Sequence, residues 1–221
     1  MAGARLIVYA VCPPRQQVDC AGMAGEPLRV VRAARLAAVA GELRRTPQPS
    51  LAALRRYDAV LHALAGELAA MLPARFGTCV TGEAELVAVL RARDLALRAA
   101  LREVRGCVQM TLRSVDLHPA PALPPAPAHV DRGSGLGYLR ARAAEASRAR
   151  DVPALAPVLC AVARWVRAVR VTHSGSVASV YHLVPRGAVP SYATAAREAA
   201  HAAGLHVLVA GPFPAYAFGE G

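Results

Sequence analysis

Residues 118–130, HPAPALPPAPAHV, form a proline-rich segment that neither a helix nor a sheet strand can cross. Proline fixes its own φ angle and lacks a backbone N–H, so the segment is expected to be an extended, semi-rigid linker. The regular elements of this chain therefore have to be sought separately on either side of it.

Strands are predicted at five places. Residues 5–11 are β-branched and aromatic and end at a Cys-Pro-Pro sequence. Residues 28–43 fit either a helix or strands, and their valines favour strands. Residues 107–115 alternate between apolar and polar side chains, as in a strand with one buried face. Two apolar strands are expected over residues 176–184 and 205–211.

Helices are predicted from apolar positions that recur at steps of three and four. The first begins at the N-cap Ser50 and ends at Pro73. A second ends at Gly106, a residue suited to a helix C-terminus. The predicted helices after Pro73 cover residues 83–105, 136–150, 154–170 and 190–203. Within the fourth helix, the apolar positions from Leu155 to Val169 form a seam that needs a packing partner.

The order of these elements indicates an α+β protein. A strand, a helix and a strand over residues 176–211 form a βαβ unit. If the strand at residues 107–115 joins the same sheet, the second half follows a variation of the ferredoxin-like plan. The composition, with 55% hydrophobic residues, supplies a large core. No apolar run approaches the roughly 20 residues of a membrane-spanning helix, so we expect a soluble protein without a membrane partner.

The formal charge of +11 raises the question of nucleic-acid binding. All 26 basic residues are arginine, but they are spread over the predicted helices, and few aromatic residues lie between them as stacking platforms. The glycines of residues 133–137 precede a helix, where backbone N–H groups can hold a phosphate, yet the spacing of a P-loop is absent. A nucleotide- or nucleic-acid-binding regulator remains the alternative reading of this surface, beside attraction of acidic proteins.

The sequence contains no recognisable catalytic, metal-binding or cofactor-binding pattern. Its five cysteines include no Cys-x-x-Cys pair and are expected to be buried free thiols in a reducing cytoplasm. No histidine has an established metal-ligand spacing. We therefore expect no enzyme, no cofactor and no metal.

Two short segments are candidates for other roles. Arg75, Phe76, Gly77 and Thr78 lie between a proline-terminated helix and a further short strand that we expect after them, and Phe76 is expected to fill the core while Arg75 pairs or caps. In the PFPAYAF segment, the aromatic residues Phe213, Tyr216 and Phe218 fit equally an intramolecular clamp and anchors of a protein interface.

Six segments follow one another across nearly the whole chain: YDAVLHALAGE, MLPARFGTCV, GCVQMTLRSV, GLGYLRAR, VASVYHLVPR and GPFPAYAF. Taken together and in this order, they resemble the GvpF/GvpL family of gas vesicle proteins. LPARFGT combined with GPFPAYAF is the most distinctive part. The sequence departs from the family pattern at Gln109, usually glutamate, and at Phe213 and Ala215, usually tryptophan and proline.

The resemblance implies an α+β fold with an N-terminal α+β domain over residues 1–81. A ferredoxin-like C-terminal domain, extended by amphipathic helices, would cover residues 82–221. It further implies an accessory or structural role in gas vesicle assembly in the cytoplasm. The expected partners are the hydrophobic shell protein and other accessory vesicle proteins, with Phe213, Tyr216 and Phe218 contributing to docking. The sequence leaves the oligomeric state open.

Overall fold

The computed structural model describes residues 5–15, 17–114, 152, 155–174 and 177–219. The chain divides into two compact units, Met1–Gln109 with Phe213–Gly221, and Met110–Pro212. Three predicted features lie outside the described residues: the linker at 118–130, the glycine loop at 133–137 and the helix at 136–150.

The first unit contains a five-stranded sheet in the order β2-β3-β1-β4, with β5 also paired to β1. All its pairs are antiparallel. The strands are β1 (Arg5–Cys12), β2 (Leu28–Ala33), β3 (Leu36–Leu43), β4 (Leu72–Pro73) and β5 (Cys79–Val80). The predicted first strand and the strands favoured over residues 28–43 are confirmed.

Three helices cover this sheet: α1 (Leu51–Glu67), α2 (Glu83–Ala92) and α3 (Asp94–Val104). Ser50 is the N-cap of α1, as predicted, and its hydroxyl accepts a hydrogen bond from the Ala53 N–H at 3.1 Å. The helix ends at Glu67, before Pro73 is reached. The single helix predicted over residues 83–105 is two helices that meet at Arg93, where φ is −110° and ψ is 13°.

Both faces of the first sheet are covered, which explains the continuous burial of β1 and β3. Ile7 and Tyr9 share a core cluster with Leu61 and Leu64 of α1. On the rest of the sheet, α2 packs against β2, β3 and β5, while α3 packs against β4. The units differ from the predicted division after residue 81, because α2 and α3 pack against strands of the first sheet.

The second unit is built on a four-stranded sheet in the order β7-β8-β6-β9. Its elements are β6 (Cys107–Ser114), α4 (Ala156–Val162), β7 (Ala168–Ser174), β8 (Val177–Pro185), α5 (Val189–Ala202) and β9 (Val207–Phe213). The described elements thus run β-α-β-β-α-β with the first strand between the third and the fourth, which is the ferredoxin-like plan. The predicted α+β fold is confirmed.

Two predictions in the second unit are wrong in detail. The helix expected over residues 154–170 ends at Val162, and Val169 belongs to β7, which pairs with β8. The strand β6 has more than one buried face, because Gln109 and Thr111 are buried as well as Met110 and Leu112. Apolar residues of α4 and α5, among them Val158 and Ala196, pack with Met110 and Leu112 in one core cluster.

Candidate functional site

An apolar cleft of about 970 Å³ opens in the first unit, beside the edge of the sheet where β4 and β5 pair with β1. Helix α1 contributes one wall, and α2 with the start of α3 contributes another. Its lining is mostly aliphatic and includes Val8, Val11, Leu54, Leu61, Leu72, Val80, Leu86, Val89, Leu90 and Leu97. Such a concave, mainly apolar surface is the usual form of a binding site.

The turn between β4 and β5 also lines the apolar cleft, and its backbone is fixed by hydrogen bonds. The Ala74 N–H donates to the Tyr9 carbonyl at 2.8 Å, and the Thr78 carbonyl accepts from the Val8 N–H at 2.8 Å. Within the turn, the Thr78 N–H donates to the Arg75 carbonyl at 3.1 Å. Gly77 has a φ of +81°, a conformation that residues with a Cβ rarely adopt. Both ends of the turn are thereby attached to β1.

The hydroxyl of Tyr57 stabilises the same turn from beneath. Its oxygen lies 3.0 Å from the Ala74 carbonyl, 3.1 Å from the Val8 carbonyl and 3.4 Å from the Arg75 carbonyl, and these acceptors share its single O–H donor. Burial raises the pKa of Tyr57 well above its ordinary value, so the hydroxyl keeps its proton. One phenol thus joins β1 to the turn.

Three aromatic rings support this arrangement. The Tyr9 and Tyr57 rings are stacked, with centroids 5.2 Å apart and an interplanar angle of 23°. Phe76 meets Tyr57 edge to face, with centroids 5.4 Å apart. Such contacts add to the free energy gained by burying the rings. Phe76 is partly buried and packs against the first core.

Residues 213–219, here called the returning segment, pack within the first unit. The Tyr216 hydroxyl donates a hydrogen bond to the Asp58 carboxylate of α1. The Ala217 N–H donates to the side-chain carbonyl of Gln109 at 2.8 Å. Phe218 is 3% exposed, and Phe213 meets the His62 ring edge to face. The returning segment therefore has the contacts of an intramolecular clamp.

The rim of the apolar cleft combines exposed aliphatic and charged side chains. Leu54 on α1 is 44% exposed and Val89 on α2 is 43% exposed, although both line the cleft. Asp58 accepts from Tyr216 and lies 3.3 Å from the His62 ring. Across the described part of the chain, no ion pair is found for Arg93, which also lines the cleft. The rim thus carries apolar surface and charges of both signs, with Arg75 and Arg93 against Asp58.

The predicted site residues converge on this cleft to different degrees. Arg75, Phe76, Thr78 and Tyr216 line it, while Gly77 shapes the turn. Phe218 lies in the interior, and Phe213 lies against His62. Sequence reasoning missed Asp58, Arg93 and the exposed Leu54 and Val89. The helical spacing placed Leu54 on an apolar face, but nothing in the sequence showed that this face stays open.

Other chemistry is not apparent in the described residues. They contain no group of three or more histidine, cysteine or acidic side chains suited to hold a metal ion. All five cysteines are free: Cys12 and Cys107 are buried, whereas Cys160 is exposed, contrary to the expectation of burial. Burial raises the pKa of the Cys12 thiol to about 11, so it stays protonated. None of the helices described is long and apolar enough to span a membrane.

Comparison with known proteins assigns the family. The sequence profile described as "Gas vesicle synthesis protein GvpL/GvpF" matches residues 5–220. A search of curated protein sequences gave no significant match. The crystal structure of the gas vesicle protein GvpF from Anabaena sp. PCC7120 is similar in fold, with a TM-score of 0.74 and 14% identity, over 99% of this chain and 97% of that chain.

The crystal structure of GvpF from Microcystis aeruginosa is similar to the same degree, with a TM-score of 0.72 and 14% identity, over 98% of this chain and 99% of that chain. The similarity to both structures extends over both units of the fold. Since the family profile covers nearly the whole sequence, the chain belongs to the GvpL/GvpF family of gas vesicle synthesis proteins.

Proposed function

We propose that this chain is a non-enzymatic accessory protein of gas vesicle assembly in the cytoplasm. It binds the hydrophobic shell protein, other accessory vesicle proteins, or both while the shell forms. Membership of the GvpL/GvpF family carries the gas vesicle role. The choice of partners and the step at which they bind are our proposal.

The observation that supports binding is the apolar cleft with its exposed aliphatic rim. Leu54 and Val89 remain open to solvent at the entrance of a cavity of about 970 Å³. Covering such side chains with an apolar partner contributes about 25 cal/mol for each Å² removed from water. A very hydrophobic shell protein is a partner that gains from the same burial before it enters the shell.

A docking role of Phe213, Tyr216 and Phe218 remains part of this proposal in a modified form. Tyr216 lines the apolar cleft and can contact a bound partner directly. Phe218 is buried, and Phe213 contacts His62, so both would act by holding the returning segment in place. Replacing all three by alanine would therefore weaken partner binding through the loss of one side of the cleft.

The test is to co-express the tagged chain with the other proteins of a gas vesicle gene cluster and to identify what co-purifies at moderate salt. We expect the shell protein or accessory vesicle proteins. A second measurement deletes the gene in a vesicle-forming cell, where vesicle number or shape should change.

A chain that purifies alone, together with unchanged vesicles after deletion, would contradict the proposal. Co-purification of nucleic acid instead would favour the alternative of a nucleic-acid-binding regulator, whose glycine loop at 133–137 lies outside the described residues. Binding of DNA, RNA or ATP to the purified chain, measured over a range of salt concentrations, separates these two outcomes.

A further inference from the structure

We propose that the apolar cleft receives one amphipathic α-helix of a partner protein. The helix would carry aliphatic side chains on the buried face and acidic side chains at its flank. This inference rests on the proposed function, because it names the chemistry of the segment through which a vesicle protein docks. Four features of the described residues lead to it.

The first feature is the shape and lining of the cleft. Its walls come from two helices, and Leu54 on one wall and Val89 on the other are exposed to nearly the same extent, 44% and 43%. The buried side chains below them, such as Leu61 and Leu90, are aliphatic. A groove between helices with an apolar floor matches the recognition mode in which a helix lays its apolar face into a groove.

The second feature is that the backbone of the turn has already used its main hydrogen-bonding groups. The Ala74 N–H and the Thr78 carbonyl bond to β1, and the carbonyls of Ala74 and Arg75 accept from side-chain or backbone donors. An extended segment that entered the cleft would need free backbone donors and acceptors of the turn as partners for its own N–H and C=O groups. A helix satisfies its backbone internally, so a helix enters at lower cost.

The third feature is the charge of the rim. The lining holds two guanidinium groups, Arg75 and Arg93, against one carboxylate, Asp58, which accepts from Tyr216 and lies beside His62. Arg93 lines the opposite wall and has no ion pair among the residues that the structure describes. The formal charge of the whole chain is +11. A carboxylate on the flank of the bound helix would therefore be favoured over an ammonium group.

The fourth feature is the returning segment. Tyr216 and Gly219 line the cleft, and the Tyr216 hydroxyl is bonded to α1. One boundary of the cleft is thus held by a hydrogen bond rather than left to a mobile side chain. A cleft that is formed before its ligand arrives loses less conformational entropy on binding.

The experiment uses the full chain and fluorescently labelled helical peptides of about four turns. One peptide has leucines at helical spacing and glutamates at the flank, the second has lysines instead of the glutamates, and the third contains two central prolines that break the helix. Dissociation constants are measured by fluorescence anisotropy. We expect the glutamate peptide to bind about fivefold more tightly than the lysine peptide, and the proline peptide to bind weakly or not at all.

Variants of the rim locate the binding. Leu54→Asp and Val89→Asp should each raise the dissociation constant of the glutamate peptide about tenfold, because a carboxylate would face the bound apolar side chains. The matched control is Leu95→Asp on α3, whose side chain is 80% exposed but does not line the cleft. Arg93→Glu should make the lysine peptide bind more tightly than the glutamate peptide. Arg102→Glu is the control and should leave the order of the two affinities unchanged. Circular dichroism checks that each variant is folded.

Several outcomes would overturn the inference. These are equal binding of all three peptides, no binding of any of them, or binding that Leu54→Asp and Val89→Asp leave unchanged. Self-association of the chain that Val89→Asp abolishes, measured by sedimentation, would mean that a second copy occupies the cleft instead. If none of the peptides binds while vesicle proteins still co-purify with the full chain, the proposal of a helix in the cleft is rejected and the proposed function stands. If the glutamate peptide binds but no vesicle protein co-purifies, the proposed function is lost.

Discussion

The hydroxyl of Tyr216 donates a hydrogen bond to the carboxylate of Asp58, although 158 positions separate the two residues in the chain. The bond fixes the returning segment on α1 at the border of the apolar cleft. Desolvation and the Asp58 carboxylate raise the pKa of Tyr216, so the phenol remains a donor at neutral pH.

Removing this hydroxyl should loosen the returning segment. Tyr216→Phe is expected to lower the free energy of unfolding of the first unit by about 1 kcal/mol, because one hydrogen bond to a charged acceptor is lost. Hydrogen exchange at the buried amides of β1 measures this. Tyr181→Phe is the control, since its exposed hydroxyl lies 3.2 Å from that of Thr172. Equal exchange rates in the wild type and Tyr216→Phe would contradict the prediction.

The Tyr57 hydroxyl should matter more than its ring. Tyr57→Phe keeps the stack on Tyr9 but leaves the carbonyls of Val8 and Ala74 without this donor. We expect a loss of about 1–3 kcal/mol in the free energy of unfolding of the first unit, from the same hydrogen-exchange measurement. Phe76→Leu, which removes the edge-to-face contact and part of a half-buried apolar side chain, should lower the free energy of unfolding by less. A larger loss for Phe76→Leu than for Tyr57→Phe would show that the ring contacts dominate.

Gly41 on β3 provides space for the side chain of Glu26. A Cβ at position 41 would lie 2.7 Å from Oε1 and 2.8 Å from Cγ of Glu26, whose carboxylate accepts a hydrogen bond from Tyr9. Gly41→Ala should therefore destabilise the first unit by about 1–2 kcal/mol through displacement of Glu26. In a Glu26→Ala background, the same change should be nearly neutral. Additive effects of the two changes would exclude this explanation.

The second unit should lose stability in mild acid. Its buried residue His182 lies with Nδ1 2.8 Å from the Tyr192 hydroxyl, and burial lowers the pKa of His182 from 6.5 to about 4. Between these values the unfolded chain binds a proton that the folded chain excludes, so stability falls as the pH falls from about 6.5 to about 4. The lost free energy should reach roughly 3 kcal/mol.

Urea denaturation followed by the fluorescence of Trp165, the single tryptophan, measures this in the second unit. Replacing His182 by glutamine should remove most of the pH dependence in this window. His173→Gln, at an exposed position, should retain it. A midpoint that stays constant between pH 7 and pH 4 in the wild type would reject the assignment.

Local sequence patterns predicted those elements whose structure depends on residues close by in the sequence. The cap at Ser50 is confirmed, and Tyr57, Leu61 and Leu64 of the predicted apolar face are buried on α1. The helix predicted over residues 154–170 failed after Val162 because β7 gains a ladder of hydrogen bonds with β8, and this pairing outweighs the helical spacing of Val169. A seam of apolar residues fits both structures until the partner strand is known.

The burial of polar residues likewise could not be predicted from the sequence. Alternation placed Gln109 on a solvent-facing side of β6, yet the Ala217 N–H bonds to its side chain and its exposure is 4%. The apolar cleft has the same origin, because its lining joins α1, α2, β1 and residues near 216. Only the tertiary structure determines which of those apolar side chains stay open to solvent.

The position of the returning segment also affects the order in which contacts form during synthesis. The first unit includes residues 213–219, but the ribosome makes the entire second unit before them. Residues 5–109 therefore leave the ribosome without the phenol that bonds to Asp58 and without the N–H that bonds to Gln109. While translation continues, the first core lacks the cover that Tyr216 provides in the finished chain, so part of its apolar surface stays exposed until the last residues are made.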